Sequence, residues 1–105
     1  MRIAWIGGVE RNEGDLVELA AKAGHDLDFH GGHVGGRGTL ELRRVVERAD
    51  LVVILTDVNS HGAVQIARKL CRQVGRPMML TRRCGASRFQ RLLEALDARD
   101  LRQAS

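Results

Sequence analysis

At 105 residues the chain has room for one domain with a single core, and its 44% apolar and 29% charged residues exclude a disordered tract. The net charge of +4 is carried almost wholly by arginine, since Lys22 and Lys69 are the only lysines, and it suits an acidic ligand, although arginine on solvated helix faces accounts for it equally well. Aromatic residues make up 3% with no tyrosine, which argues against base stacking on nucleic acid; no apolar run nears the roughly 20 residues that span a bilayer, and MRIAWIGG lacks a signal peptide's h-region, so a cytoplasmic protein without a membrane partner is expected.

The pattern alternates short apolar runs with helical periodicity along residues 1–105, read as one α/β domain. RIAWIGG (2–8) predicts a buried strand ending in a glycine pair. From Asn12, the spacing Leu16, Leu19, Ala20, Ala23 predicts a helix that stops at Gly24. HDLDFH (25–30) alternates polar with apolar and reads as an edge strand, with His25 at its far end expected on the surface.

After the glycine-dense GGHVGGRG, Thr39 is the expected cap of a second helix with the stripe Leu42, Val45, Val46, Ala49. DLVVILT (50–56) is apolar throughout and is expected at the sheet centre. Asn59 or Ser60 is the expected cap of a third helix, with Ala63, Ala67, Leu70, Cys71 and Val74 inward, so that Cys71 reads as a small core residue. PMMLT (77–81) predicts a fourth strand. Ser87 and Gln90 have capping-box spacing before a last helix with Leu92, Leu93 and Leu96 inward.

Strands separated by such helices pair in parallel through right-handed crossovers. The expected architecture is a four-stranded parallel sheet of order 2-1-3-4 in a flavodoxin-like three-layer sandwich. Ligands of such sheets bind outside the carboxyl ends of the strands, between the first and third.

The unusual residues gather in the loops at that edge. Gly7, Gly8, Arg11 and Asn12 follow the first strand, and His30, His33 and Arg37 belong to the second. Asp57, Asn59, Ser60 and His61 follow the third, and Arg82, Arg83, Cys84, Ser87 and Arg88 follow the fourth. The glycines permit positive φ and a close backbone approach, though glycine also simply makes turns.

His30, His33 and His61 are the candidate metal ligands. His30 and His33 form an H-x-x-H pair, a spacing that exposed histidines also show. His61 stands at a helix start, where the dipole disfavours the imidazolium and leaves a neutral nitrogen. Arg82, Arg83 and Arg88 around Cys84 suit an anion and would lower the thiol pKa, while the plain alternative for Cys84 is a small strand-end residue.

Several machines are excluded. Asp57 ends the third strand where a response-regulator receiver holds its phosphoacceptor, but Gly7-Gly8 replaces the acidic magnesium-binding pair. There is no G-x-x-x-x-G-K-[ST] loop and no G-x-G-x-x-G. In CGASR the arginine stands too close to the cysteine for a low-molecular-weight phosphatase loop.

With GG near the start, FHGGH after the second strand, TDVNSHGAV after the third and RRCGASR before the last helix, the chain resembles bacterial domain-of-unknown-function family 2325 over essentially its whole length. The resemblance implies the same small α/β domain without an established reaction. It singles out His30, His33, Asn59, His61, Arg83 and Ser87.

The leading expectation is therefore a ligand-binding domain for haem or another transition-metal cofactor, with imidazole or the Cys84 thiolate on the metal and arginines on the propionates. A homodimer sharing ligands fits the exposed edge strands. The alternatives are a phosphate-bearing small molecule, a regulatory protein-interaction domain, and an enzyme with His61 as base and Cys84 as nucleophile. Of these the enzyme is disfavoured, because Asp57, Asn59 and His61 form no definite acid–base pairing.

Overall fold

The computed structural model describes residues 1–8, 10–57, 59, 61–82 and 88–95. Strands β1 (Arg2–Ile6), β2 (Asp26–His30), β3 (Leu51–Leu55) and β4 (Met78–Thr81) alternate with helices α1 (Glu13–Lys22), α2 (Gly38–Arg48) and α3 (His61–Val74), and residues 88–95 are helical (α4). A 3-10 turn, Glu10–Asn12, leads into α1. The sheet is parallel throughout with order β2-β1-β3-β4, as the alternation of apolar runs with helical stripes requires.

Period-2 alternation splits the strands between two cores. Ala4, Ile6, Val52 and Ile54 face Leu42, Val45, Val46 and Ala49 of α2 and Ala67, Leu70 and Cys71 of α3. Ile3, Trp5, Leu27, Leu51, Val53 and Leu55 face Leu16 and Ala20 of α1 and Phe89 and Leu93 of α4. The result is the flavodoxin-like three-layer sandwich. β3 is buried at every position, which is why its sequence shows no alternation.

Element ends shift by a residue or two, and two expectations change. His25 is buried, because its Nδ1 accepts from the Met1 ammonium at 2.9 Å instead of facing solvent. Thr39 does not cap α2: the helix already begins at Gly38, and the Thr39 hydroxyl donates to the Val34 carbonyl at 2.9 Å. The first residue of α3 is His61, immediately after Ser60 of the expected Asn59 or Ser60 cap. The caps expected from Ser60 and Ser87 lie outside the described residues, as does Leu96.

Cys71 is 1% exposed on the inner stripe of α3, and burial pushes its thiol pKa up. A native thiol-labelling reaction, followed by peptide mass spectrometry, should leave Cys71 unmodified until denaturant is added. Labelling of Cys71 at the rate of a free thiol would contradict this packing.

Candidate functional site

Because the strands are parallel, their carboxyl ends share one edge, and the chain leaves β1 and β3 there toward opposite faces of the sheet. Asn59 lies across that crevice. Its Nδ2 donates to the Leu55 carbonyl at 2.8 Å and the Ile6 carbonyl at 3.3 Å, tying the ends of β3 and β1 together. The amide that sequence reasoning placed among ligand-binding groups thus spends its donor nitrogen on the scaffold.

The ladder between β1 and β2 runs one step further, with the Gly7 amide donating to the His30 carbonyl at 2.7 Å. Gly7 and Gly8 then turn the chain at φ of 104° and 92°, a region open to glycine.

His30 organises the glycine loop that follows. It alternates with Asp28 on β2, opposite Leu27 and Phe29, so its ring points toward the start of α2 and is 4% exposed. The Gly32 amide donates to Nδ1 at 3.0 Å, which leaves the proton on Nε2, and Nε2 donates to the Gly38 carbonyl at 3.1 Å. Desolvation holds the ring below its ordinary pKa of 6.5. The Gly38 carbonyl and Glu41 pull it upward and His33 downward, but burial prevails.

Gly38 is the other half of this arrangement. A Cβ there would lie 2.8 Å from the His33 carbonyl carbon, closer still to its oxygen, and 3.0 Å from the His33 ring. Only glycine lets α2 begin under the loop.

His33 stacks on His30 with ring centroids 4.6 Å apart at 15°, and its Nε2 lies 3.4 Å from Glu41 Oε2. Both side chains are more than half exposed, at 59% and 54%. The donor atoms of His30, His33 and Glu41 fall within 4.8 Å of one another, close enough for one metal ion. Proximity is not availability, however. Both nitrogens of His30 are already bonded, so His33 and Glu41 offer open lone pairs and His30 serves as the plate that orients His33.

His61 lies on the neighbouring helix start. It is exposed at the first position of α3, and a Cβ on Gly62 would touch Val34 Cγ2 at 3.5 Å. The start of α3 thus passes near the loop that carries His33, while His61 stays outside the group formed by His30, His33 and Glu41.

Around the edge Arg11, Arg37, Arg82 and Arg88 are exposed, giving it positive charge. Asn12 and Arg37 precede α1 and α2 without a side-chain capping bond. Ser60, Arg83, Cys84 and Ser87 lie outside the described residues.

The model of a bacterial protein family, described as uncharacterized protein conserved in bacteria (DUF2325), matches residues 2–96. The chain belongs to DUF2325. Searches of curated proteins and of solved structures found no match. The DUF2325 match spans both cores and all four strand ends, so the edge just described belongs to the family's own domain.

Sequence reasoning missed Glu41, and it neither separated Gly38 from the other loop glycines nor foresaw the state of the Trp5 N–H. Glu41 looks like any acid in a helix's first turn, and only the fold of the glycine loop brings His33 back onto it. Trp5 reads as a core residue, and it is one, at 1% exposure with its ring edge-to-face against Phe89 at 5.0 Å. Yet its Nε1 has no hydrogen-bond partner among the described residues. A buried donor left unpaired typically costs about 1–3 kcal/mol, so it calls for an explanation.

The fit of haem can be tested on these residues. A haem face needs a broad apolar wall, but Trp5 and Phe89 are sealed in the core and Phe29 is half-buried, so these aromatic residues do not supply one at the edge. Half-buried Val34, next to His33 in the chain, and exposed Leu40, in the first turn of α2, are the apolar side chains of this loop and helix start among the described residues. The donor set, imidazole with carboxylate, suits a borderline transition metal.

No helix among the described residues is long and apolar enough to cross a membrane.

Proposed function

We propose that this DUF2325 protein is a cytoplasmic ligand-binding domain that takes a metal-containing cofactor, a transition-metal ion or haem, at the carboxyl edge of its sheet. The observation that carries this reading is the accessible His33 imidazole, stacked on a fixed His30 and 3.4 Å from Glu41. His33, Glu41 and His61 would hold the metal, which supplies Lewis-acid or redox character when bound. Arg37, at the end of the same loop, would pair with propionates if the group is haem.

The chain's own residues contribute orientation. His30 and Gly38 fix the loop, and the loop fixes His33. Because Val34 and Leu40 offer only a small apolar surface, haem would be covered by a second copy of the chain, so a homodimer is part of the haem form of the proposal.

Metal analysis and visible spectroscopy of the purified protein, followed by titration with haemin and with zinc, test the reading. Stoichiometric binding is expected, weakened about 10–100-fold in His33→Ala and in His61→Ala. Wild type that takes up neither probe would refute it.

A second reading, a phosphate-bearing small molecule, is favoured by the four exposed arginines on the edge. Such binding would be competed by sulfate and indifferent to chelators.

A further inference from the structure

Helices α1 and α2 mix acids with bases and pair some of them. In α1 Lys22 meets Glu18 at 3.4 Å, and in α2 Arg43 meets Glu47 at 2.7 Å while Arg48 reaches Asp28 at 3.4 Å. Helix α3 is different, since HGAVQIARKLCRQV carries Arg68, Lys69 and Arg72 with no acid to balance them. All three are exposed, and none makes an ion pair among the described residues.

With Gln65 they border one shallow surface groove of about 470 Å³, on the face of α3 turned away from its buried Ala67, Leu70 and Cys71. The helix dipole favours a cation in the last turn, which accounts for Arg72. Its effect fades within that turn, so Arg68 and Lys69 need another reason.

The kind of partner follows from what this face lacks. Interfaces between proteins are anchored by apolar or aromatic side chains, and the exposed large apolar residues among those described are Val17, Leu40 and Leu80, none of them on α3. A membrane surface requires an apolar stripe to insert, but that of α3 is spent on the core. The phosphates of a nucleic acid require neither, being met by guanidinium, ammonium and amide donors. Single strands are held largely by stacking on aromatic rings, which α3 does not offer, so the duplex is the form that fits.

We propose that the outer face of α3 binds the phosphodiester backbone of a nucleic-acid duplex through Arg68, Lys69 and Arg72, with Gln65 as a neutral donor, and does so without reading sequence. Gln65 and Arg72 stand about 10 Å apart along the helix axis, which laid along a duplex matches the rise of about three phosphates on one strand. The cations lie beyond the first turn of a helix that starts at the carboxyl edge of the sheet and runs away from it. The inference therefore goes beyond the cofactor reading and stands without it.

Fluorescence anisotropy of a short labelled duplex of mixed sequence, as DNA and as RNA, tests the proposal on the full chain, with a chelator present so that no metal contributes. For DNA, three contacts predict a log–log salt slope of about −2.7, or binding about 40-fold weaker at 200 mM salt than at 50 mM. A duplex of scrambled sequence should bind equally well. The tighter of the DNA and RNA arms identifies the source.

Arg72→Gln should weaken binding at low salt and reduce the slope by about 0.9. Arg91→Gln removes the same charge from exposed α4 surface on the opposite face of the sheet, and should leave affinity and slope nearly unchanged. Both side chains are exposed, so both variants should keep the wild-type far-ultraviolet spectrum.

Absence of binding at the lower salt overturns the proposal. Equal losses in Arg72→Gln and Arg91→Gln overturn it too, because net charge and not the α3 face would then govern binding. Polyglutamate that competes as well as unlabelled duplex at equal charge would replace the duplex with an acidic protein segment, and tighter binding of a single strand would remove the duplex form. Uptake of haemin or zinc at the carboxyl edge is read separately, so failure here leaves the cofactor reading intact.

Discussion

Gly38→Ala is expected to destabilise the protein by about 2 kcal/mol and to loosen any ligand held by His33, against a Gly35→Ala control that is neutral or stabilising by up to about 1 kcal/mol. Helix propensity alone predicts the reverse for Gly38, since alanine in a helix is favoured over glycine by about 1 kcal/mol. The steric effect wins because the new Cβ would meet backbone, the His33 carbonyl carbon at 2.8 Å, and backbone cannot rotate away as a side-chain tip can. The displacement would not stay local: the Gly38 carbonyl receives the His30 ring at 3.1 Å, and its amide donates to the Gly35 carbonyl at 3.0 Å. Gly35 has nothing within 4 Å of its would-be Cβ, and its φ is not positive. Urea unfolding of the two variants checks the pair, and equal midpoints for them would contradict the crowding at Gly38.

The contrast between these glycines marks where the sequence stops being legible. The sheet order and helix faces follow from periodicity, because α2's stripe of Leu42, Val45, Val46 and Ala49 and β3's unbroken apolar run each admit one placement. GGHVGGRG announces an unusual loop, yet nothing in it says that Gly38 is obligatory for space while Gly35 is not. That depends on how α2 passes beneath His33, a tertiary fact.

The same holds for polar side chains at strand ends. His30 reads as a rim residue beside His33, and period-2 alternation already puts it on the face opposite Leu27 and Phe29. What the sequence lacks is the knowledge that α2 covers that face. Asn59 reads as a cap because amides often are caps; its actual partners, the carbonyls of Ile6 and Leu55, are adjacent only once β1 and β3 pair. Trp5 shows the converse, since a core role is legible in its strand but an unpaired N–H is not.

His30 gives the second large effect. In metal-free protein, His30→Ala should cost about 2–4 kcal/mol, from the cavity left by a buried ring and from a Gly32 amide and a Gly38 carbonyl that lose their partners. The more telling measurement is stability against pH. Burial holds the folded-state pKa of His30 below its ordinary value of 6.5, so above 6.5 the ring is neutral in both states and its contribution is present in full. As pH falls below 6.5 the unfolded chain takes up a proton that the folded one refuses, and stability declines with a slope of at most about 1.4 kcal/mol per pH unit until the lowered folded value is passed, after which this group adds no further slope. The acid form also has no lone pair for the Gly32 amide, so the loop carrying His33 is expected to open in the same window. His30→Gln, which lacks the titrating group, should be less stable at neutral pH and flatter between pH 7 and 5 on the order of that slope. Parallel profiles for the wild type and His30→Gln would show that the acid sensitivity arises elsewhere and that the ring does not hold the loop through its neutral form.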